Sequence, residues 1–288
     1  MLPRCFWFVQ SAPDSPEDHI APFLETSTEA YKGSKKQWRF TKYGRIEKEY
    51  LFKTVLPRNL VPFAVLKSDS VFVPLHSKTE LRVLNATQLL GNGQLYAAQW
   101  MKEIEQIWKT TCSGDVGCLH EKLDSSRALT VQNPQSKLVV LYNTSGYNLT
   151  AVLHFPQEKK HTFKTNGFIA DHETHYYYPE SEEEGDYLCA MLNSSVVNQR
   201  VQSHRKEYLK DENSIHRLPF ELCSIPRFDP HDPEHLKLAE ISKECRGLAK
   251  KRTEKTKGTS RNIRLAIYRM TKKYLSAIDQ KAMEFNGE

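Results

Sequence analysis

The stretch that decides the fold opens with NGFIADHETHYYY at residues 166–178 and continues with YLCAMLNSSVVNQRV at residues 187–201. Its first part is rich in aromatic residues and is ended by a proline, which predicts a β-strand over residues 168–178. Its second part carries apolar residues at helical spacing: Leu188, Met191, Leu192 and Val196. That spacing predicts a helix over residues 184–201. A polar, basic loop and a proline-rich exit, IPRFDP at residues 225–230, complete the stretch.

Three segments before this stretch also have a readable pattern. Residues 138–142 and 150–155 predict two strands joined by a glycine-containing turn. Residues 94–109 predict an amphipathic helix, because apolar side chains recur there every three or four positions. The first apolar segment, residues 5–9, predicts a buried strand, since it is too short and too aromatic for a signal peptide.

Two helices are predicted after the proline-rich exit. The first begins at Asp232, where an N-cap acceptor is followed by proline at the first helical position, and its apolar stripe ends at Leu248. The second covers about residues 261–285 and carries Ile267 on its apolar face. Residues 250–260 between them predict a polar, basic linker.

These elements predict a mixed α/β (α+β) fold. We expect residues 1–230 to form one domain built on a mixed sheet, divisible near residue 120 into the parts 1–120 and 121–230. Residues 231–288 would follow as a C-terminal helical pair. A chain of 288 residues has room for one large domain or two small ones.

The composition is that of a globular protein, with 39% hydrophobic and 26% charged residues. No apolar run approaches the roughly 20 residues that span a bilayer, so we expect no membrane association. The six cysteines include no CxxC pair, which argues against a zinc ribbon. Reduced thiols fit this pattern best, and we therefore expect a cytoplasmic protein.

Basic residues concentrate near the C-terminus. Residues 243–273 hold twelve lysines and arginines against two glutamates, so this segment carries +10 within a chain whose total net charge is +6. A basic stripe of this kind commonly follows nucleic-acid phosphates. A solvated helix face, or a face paired with acidic residues of a neighbouring domain, is the alternative.

Two groups of basic residues are candidates for DNA contacts. The first lies on or beside the loop after the predicted 184–201 helix: His204, Arg205, Lys206, Lys210, His216 and Arg217. The second lies in or next to the predicted linker and helix that follow: Lys251, Arg252, Arg261 and Arg264. The first group suits phosphates and base edges, and the second suits mainly phosphates, because a flexible linker cannot hold base-reading geometry. An ordinary solvated loop explains the first group equally well.

Other chemistries have weaker support in the sequence. Glu158 and Lys160 form a Glu-x-Lys element with Asp124 upstream, as in metal-dependent nucleases, but a solvated turn is the stronger interpretation. Two histidine pairs are candidates for metal ligands: His172 with His175, and His231 with His235. The first pair should diverge in a strand, and the second has no evident third ligand. We therefore expect no metal site and no catalytic residue in this chain.

Three motifs carry a resemblance to a known family. They are Asp171-His172 with Tyr176-Tyr177-Tyr178, Leu192-Asn193-Ser194, and Ile225-Pro226-Arg227-Phe228-Asp229. In order and spacing they resemble the target recognition (specificity) region of adenine-specific (N6) DNA methyltransferases from type I and fused type II restriction–modification systems. Looser likenesses extend over nearly the whole chain, from the strand at residues 3–9 to Ile278-Asp279 in the last helix.

The resemblance implies a target recognition domain that binds double-stranded DNA together with a methyltransferase catalytic domain or subunit. S-adenosylmethionine is then expected on that partner. This chain contains no Pro-Pro dipeptide, which adenine methyltransferases use in the Asn/Asp-Pro-Pro-Tyr/Phe motif that holds the flipped base. Nor does a glycine-rich turn follow an N-terminal strand. We therefore expect neither a cofactor nor methyl transfer in this chain alone.

Several alternatives stay open at this point. In the family, the catalytic domain normally precedes this region, whereas Met1 falls almost at the first recognition strand. The chain would then be a separate specificity polypeptide or the tail of a split or truncated gene. It could also be a C-terminal fragment of a fused DNA methyltransferase–nuclease with no independent function. Two more alternatives are an unrecognised methyltransferase or nuclease activity and a protein-interaction module with basic docking helices.

Overall fold

The computed structural model describes residues 4–13, 20–31, 36–76, 80–112, 117–156, 163, 165–208, 215–255 and 259–287. These residues fold into helices and antiparallel sheets, and the longest helices lie at the C-terminus. The predicted mixed α/β class with C-terminal helices is thereby confirmed.

The strands and helices are listed here in chain order. The strands are β1 (Phe8–Ser11), β2 (Phe23–Thr26), β3 (Tyr43–Arg45), β4 (Leu51–Thr54), β5 (Leu60–Val61), β6 (Ala64–Val65), β7 (Asp69–Phe72), β8 (Leu75–His76), β9 (Arg82–Val83), β10 (Val139–Asn143), β11 (Ala151–His154) and β12 (Thr174–Tyr177). The α-helices are α1 (Ala86–Gly91), α2 (Leu95–Thr111), α3 (Leu119–Leu123), α4 (Glu182–Asn193), α5 (Ser195–Tyr208), α6 (Leu218–Leu222), α7 (Pro233–Lys255) and α8 (Ser260–Phe285). Short 3₁₀ turns occupy Arg4–Phe6, Thr28–Tyr31, Lys36–Trp38, Lys48–Tyr50, Pro57–Asn59 and Ser125–Arg127.

The chain divides into two compact units that interleave along the sequence. The N-terminal unit comprises Met1–Thr54, Asp69–Gln135 and Gln157–Ile169, and the C-terminal unit comprises Val55–Ser68, Ser136–Pro156 and Ala170–Glu288. These bounds differ from the expected division at residue 230. The helices α7 and α8 share a unit with β10, β11 and β12, because α7 packs on α4 and β6 while α8 packs on α7 and β5.

The N-terminal unit is built on a five-stranded antiparallel sheet with the order β3-β2-β1-β7-β4. Its core is aromatic: Trp100 of α2 is fully buried, with ring centroids 6.2 Å from Phe40 and 6.4 Å from Phe72. The carboxylate of Glu47 accepts hydrogen bonds from the first free N–H groups of α2 and so caps that helix. The predicted helix over 94–109 is confirmed. Residues 5–9 are buried as predicted, but the strand begins only at Phe8, because Arg4–Phe6 forms a 3₁₀ turn.

The C-terminal unit is built on a three-stranded antiparallel sheet with the order β11-β10-β12. Helix α4 packs closely against β11 at Gly185, where a Cβ would come within 2.6 Å of Leu153 Cδ1 and would force that side chain to move. The core continues through the apolar faces of α7 and α8, where Leu238, Ile267 and Ile278 are almost fully buried. The predicted hairpin of two strands is β10 and β11, and the two C-terminal helices begin as predicted at Pro233 and near residue 261.

The predicted single helix over 184–201 is wrong, because the chain bends out of helical geometry at Ser194. Asp279 of α8 fixes the bend by accepting hydrogen bonds from the Ser194 hydroxyl at 3.0 Å and from the Ser195 main-chain N–H at 2.7 Å. Helix α5 then continues to Tyr208, so residues 204–206 are helical and do not lie in a loop.

Two further predicted segments differ in length from the elements that the structure contains. The basic linker over 250–260 is largely helical, because α7 continues to Lys255 and α8 begins at Ser260. Lysine and arginine are good helix formers and suit the negative end of the helix dipole. The predicted strand over 168–178 is reduced to β12, since Asp171 accepts a hydrogen bond from the Glu173 N–H and turns the chain before the strand.

Two global features complete the description. None of the helices in the described ranges combines the length and apolar character needed to cross a membrane. All six cysteines are free thiols, and four of them, Cys5, Cys189, Cys223 and Cys245, are buried.

Candidate nucleic-acid interface

A cleft of about 720 Å³ opens on the surface of the C-terminal unit, and we call it the amide cleft. Its walls are formed by the segment 57–62, the β10–β11 turn, the α4–α5 junction and one face of α8. Six Asn and Gln side chains line it. The residues that line it and are solvent-exposed are Arg58, Ser145, Tyr147, Asn148, Ser195, Gln199, Leu265 and Tyr268.

The β10–β11 turn is held in place by the buried amide of Asn143. Its Nδ2 group donates to the carbonyl oxygens of Ser145 and Asn148, and its Oδ1 atom accepts from the Thr150 N–H at 2.8 Å. Gly146 has a φ of 130°, and a Cβ there would lie 3.1 Å from Asn143 Nδ2, so this turn requires glycine. The result is a fixed turn that presents Tyr147, which is 70% exposed, to solvent.

The α4–α5 wall is attached to the edge of β11 by further amides. Asn193 bonds both the N–H and the carbonyl of Ala151, at 3.0 and 2.8 Å, in the way a neighbouring strand would. Asn198 accepts from the Leu149 N–H at 2.7 Å, and Gln202 donates to Asn148 Oδ1 at 2.7 Å. The wall is therefore preorganised, which lowers the entropic cost of ordering it around a ligand.

The residues of α8 that form one wall of the cleft recur at helical spacing. Arg264, Leu265, Tyr268, Thr271 and Leu275 all line the cleft. The guanidinium of Arg264 donates to the Leu60 carbonyl oxygen, and burial lowers its pKa. The Tyr268 ring is half exposed. This face of α8 thus offers an aromatic ring and a positive charge side by side.

The charged side chains that line the cleft are positive among the residues that the structure describes. Two arginines, Arg58 and Arg264, line it, and no aspartate or glutamate does so among the residues that the structure describes. Asparagine, glutamine and arginine are the side chains that pair bidentately with adenine and guanine edges, and exposed tyrosines stack on bases. Most of the six amides already hold the walls through hydrogen bonds, so the cleft presents mainly positive charge and exposed tyrosine rings to solvent.

A basic surface lies at the end of α7 and the beginning of α8. Lys250 and Lys251 are exposed in the last turns of α7, and Arg261 is exposed in the first turn of α8. Arg264, one turn after Arg261 on α8, lines the amide cleft. We call Lys250, Lys251 and Arg261 the basic end.

Part of the predicted basic stripe is neutralised within the unit. Arg246 of α7 bonds Asp186 Oδ2 at 2.8 Å and also pairs with Glu182, while Lys243 lies 3.6 Å from Glu182. Burial raises the pKa of Asp186 and the Arg246 guanidinium opposes that rise. These two cations therefore hold α4 against α7, as in the alternative that pairs the basic stripe with acidic residues.

A second, smaller concavity of about 450 Å³ lies on the sheet face of the same unit, and we call it the aromatic groove. Tyr142 and His175 are cross-strand neighbours whose rings stack with centroids 4.8 Å apart, and Phe220 of α6 lies 6.2 Å from Tyr142. Arg217 and Arg227 are exposed at its rim. Tyr177 donates to Glu184, and that hydrogen bond together with burial raises the pKa of Tyr177 to about 12.

The first group of predicted DNA contacts is dispersed. Arg205 is only 3% exposed and donates to the Tyr147 carbonyl oxygen, so it supports the β10–β11 turn and cannot meet DNA at the surface. His204 and Lys206 lie on α5 instead of a loop. His216 and Arg217 are exposed next to the aromatic groove. The prediction for Lys210 falls outside the described residues.

The second group of predicted contacts stays closer together. Lys251 is exposed and Arg252 half-buried near the end of α7, while Arg261 and Arg264 lie in the first turns of α8. All four residues belong to helices, so their main-chain positions are fixed by helical geometry. Arg264 is the member that the structure places in the amide cleft.

The weaker candidates have structural roles or lie outside the described ranges. Asp124 accepts hydrogen bonds from Leu129 and Thr130 and closes a turn, whereas Glu158 and Lys160 fall outside the described residues. His235 is buried, and its Nδ1 atom accepts from the Asp229 N–H. Within the described ranges, no group of three His, Cys, Asp or Glu side chains is arranged to hold a metal ion.

Sequence reasoning missed most of the exposed residues of the amide cleft. The sequence contains a signal for Tyr147, since an aromatic residue in the polar turn SGYN has no core to fill. Tyr268 left a weaker one, because it falls off the apolar stripe of α8. Arg58 and Gln199 left none, since only the tertiary fold brings the segment 57–62 and α5 together.

Comparisons with known proteins add no assignment. No protein-family model matches the chain. A search of curated proteins finds none with significant similarity.

Proposed function

We propose that this protein binds double-stranded DNA sequence-specifically, as the target recognition part of an adenine-specific DNA methyltransferase of a restriction–modification system. S-adenosylmethionine and methyl transfer would belong to a partner catalytic domain or subunit. The amide cleft is the observation that carries the proposal: two arginines, two exposed tyrosines and the exposed amide of Gln199 line it, without a described carboxylate. The cytoplasm, where the six free thiols stay reduced, is the compartment that this function requires.

The cleft and the basic end would divide the work. Lys250, Lys251 and Arg261 would contact phosphates, which supplies affinity without sequence preference. Arg58 and Gln199 would meet base edges, because their exposed side chains extend from preorganised walls. Arg205 does not take part in this assignment, since its side chain is buried.

Selection from a random duplex library, followed by salt titration of the selected and a scrambled duplex, tests the proposal. Replacing Lys251 and Arg261 by alanine should reduce the slope of log affinity against log salt by about 0.9 for each lost phosphate contact, for both duplexes alike. Replacing Gln199 or Arg58 by alanine should instead shrink the difference between the duplexes by about 1–3 kcal/mol.

Lys237→Ala is the matched control, since Lys237 is exposed on the same helix as Lys251 but near its opposite end. It should leave both the salt slope and the sequence preference unchanged. Failure of the library to yield any duplex bound more tightly than random DNA would overturn sequence-specific binding. Methyl incorporation from S-adenosylmethionine by the purified chain would overturn the assignment of catalysis to a partner.

A further inference from the structure

The aromatic groove has a floor of stacked rings on one face of the sheet. Tyr142 pairs with His175, and Val140 pairs with Tyr177, across β10 and β12, so all four side chains project from the same face. The Tyr142 hydroxyl donates to the His216 carbonyl oxygen, which fixes its ring. Phe220 is 47% exposed and lines the groove beside Tyr142. A planar ligand would therefore find the accessible ring of Phe220 beside the buried ring of Tyr142, which is 7% exposed.

One polar atom in this floor has no hydrogen-bond partner among the described residues. It is Nε2 of His175, which is buried from solvent although the residue lines the groove. Burial, followed by the nearby charges of His216 and Arg217, lowers the pKa of His175 and favours the neutral ring. A neutral imidazole offers a single directional hydrogen bond at this position. A ligand with a polar edge would satisfy it, and a purely apolar ligand would leave it unpaired.

The charges at the rim are balanced. Two exposed arginines, Arg217 and Arg227, line the groove together with two glutamates, Glu184 and Glu221. Glu184 accepts hydrogen bonds from the Tyr177 hydroxyl and the Glu180 N–H, so its carboxylate is occupied. An uncharged heterocycle suits the floor, and a phosphate attached to it would meet the two guanidinium groups.

We propose that the aromatic groove binds a single unpaired nucleobase, carried either by a nucleoside monophosphate or by a single-stranded stretch of nucleic acid. Aromatic stacking on the exposed ring of Phe220 supplies affinity for any base, because every base has a π-face. Nε2 of His175 adds a hydrogen bond to the polar edge of the base. The inference goes beyond duplex recognition by the amide cleft, since that cleft needs no unpaired base.

Two titrations of the full chain test this site. The first measures binding of AMP, GMP, CMP and UMP by calorimetry. The second follows the fluorescence of a 2-aminopurine placed in a single-stranded decanucleotide, which stacking on the groove should quench. Phe220→Ala and His175→Phe should each lower the affinity at least tenfold for whichever of the two probes the wild-type chain binds. His175→Phe keeps a ring at the stacking position and removes the polar atom, so it separates the hydrogen bond from the stacking.

Controls distinguish this site from the amide cleft. Tyr268→Ala in the cleft should leave mononucleotide and decanucleotide binding unchanged, whereas Phe220→Ala should leave the preference for the selected duplex unchanged. Circular dichroism confirms the fold of each variant, and Phe220 is exposed enough for its removal to be tolerated. Binding of the monophosphates alone identifies a free nucleotide as the source of the base, and binding of the decanucleotide alone identifies a strand.

The inference is overturned if neither probe binds, or if both bind with affinities that Phe220→Ala and His175→Phe do not change. Duplex recognition would be untouched by either result, because it is measured on a different probe and with cleft variants. Conversely, if the wild-type chain recognises no duplex, the mononucleotide titration still tests the groove by itself.

Discussion

The guanidinium group of Arg264 donates two hydrogen bonds to the main-chain carbonyl oxygen of Leu60, at 2.7 and 3.2 Å. The contact spans 204 positions of sequence and ties α8 to β5 within the C-terminal unit. Arg264 therefore serves the fold and the amide cleft together. Its charge remains at the cleft wall, while its geometry is fixed by a backbone acceptor.

Replacing Arg264 by methionine should lower the free energy of unfolding by about 1.5–3 kcal/mol, the usual range for losing a hydrogen bond to a charged group. Arg261→Met, three residues away and exposed, is the matched control and should change stability by less than about 0.5 kcal/mol. Urea unfolding followed by circular dichroism measures both. Equal stability of the two variants would show that the Leu60 contact adds nothing to the fold.

Local signals were sufficient to predict some of the regular elements of the C-terminal unit. Asp232 and Pro233 mark the start of α7, and the Asp232 carboxylate accepts from the Glu234 N–H as an N-terminal cap should. The β10–β11 hairpin also follows from its apolar runs and its glycine turn. These features depend on residues a few positions apart, so one sequence contains all the information that they need.

The remaining features depend on residues far apart in sequence. Ser194 interrupts the predicted helix because Asp279 lies opposite it in the fold, 85 positions later. The segment 55–68 joins the second sheet through the hydrogen bond from the Phe63 N–H to the Ala151 carbonyl. Neither partner is visible from the local pattern. The amide cleft was missed for the same reason, since its walls come from four separate segments.

The motifs that carried the family resemblance turn out to have structural contacts. Asn193 bonds the edge of β11, Asp279 fixes the α4–α5 bend, and the Pro226 carbonyl accepts from the Tyr187 hydroxyl at 2.9 Å. These residues position the cleft and the groove without lining up as a reading surface.

The apolar stripe of α8 is part of the core of the C-terminal unit. Ile267 is fully buried in it, whereas Met270 on the same helix is 40% exposed. Ile267→Asp should place an unpaired polar group in the core and lower the free energy of unfolding by several kcal/mol, and Met270→Asp should cost less than about 1 kcal/mol. Thermal unfolding by circular dichroism measures the difference. Similar melting temperatures for both variants would contradict the core position of Ile267.

Arg246 compensates the buried carboxylate of Asp186, which is 2% exposed. Arg246→Met should leave that carboxylate without its partner and cost about 3–5 kcal/mol at neutral pH. Lys243→Met is the control, because Lys243 is exposed and only 3.6 Å from Glu182. Urea unfolding measures both.

The loss caused by Arg246→Met should depend on pH with a defined sign. Burial already raises the pKa of Asp186, and removing the opposing guanidinium raises it further. A carboxyl group whose pKa is higher in the folded than in the unfolded state stabilises the fold at low pH and loses that contribution as pH rises through the folded value. The variant should therefore be less destabilised at pH 5 than at pH 8. A loss independent of pH would assign the effect to the packing of Arg246 on Phe155.

Lys53 of β4 in the N-terminal unit is 6% exposed, and its ammonium donates to the Ser70 hydroxyl at 2.7 Å. Burial lowers the pKa of Lys53 to about 8, against the opposing influence of Asp69. Between pH 8 and the ordinary lysine value of 10.5, the unfolded chain binds a proton that the folded chain has lost. The free energy of unfolding should therefore rise with pH in this window, by up to about 1.4 kcal/mol for each pH unit.

Lys53→Met removes this titration. Relative to the variant, the wild-type protein should gain about 2–3 kcal/mol of stability between pH 7 and pH 10, because the cost of burying the ammonium disappears as it loses its proton. Urea unfolding of both proteins at pH 7, 8, 9 and 10 gives the difference at each pH, which cancels other groups that titrate in this range. Lys102→Met, at an exposed position of α2, is the matched control and should follow the wild-type profile. If the stability difference between the wild type and Lys53→Met stays constant from pH 7 to pH 10, the ammonium of Lys53 is not desolvated in the fold.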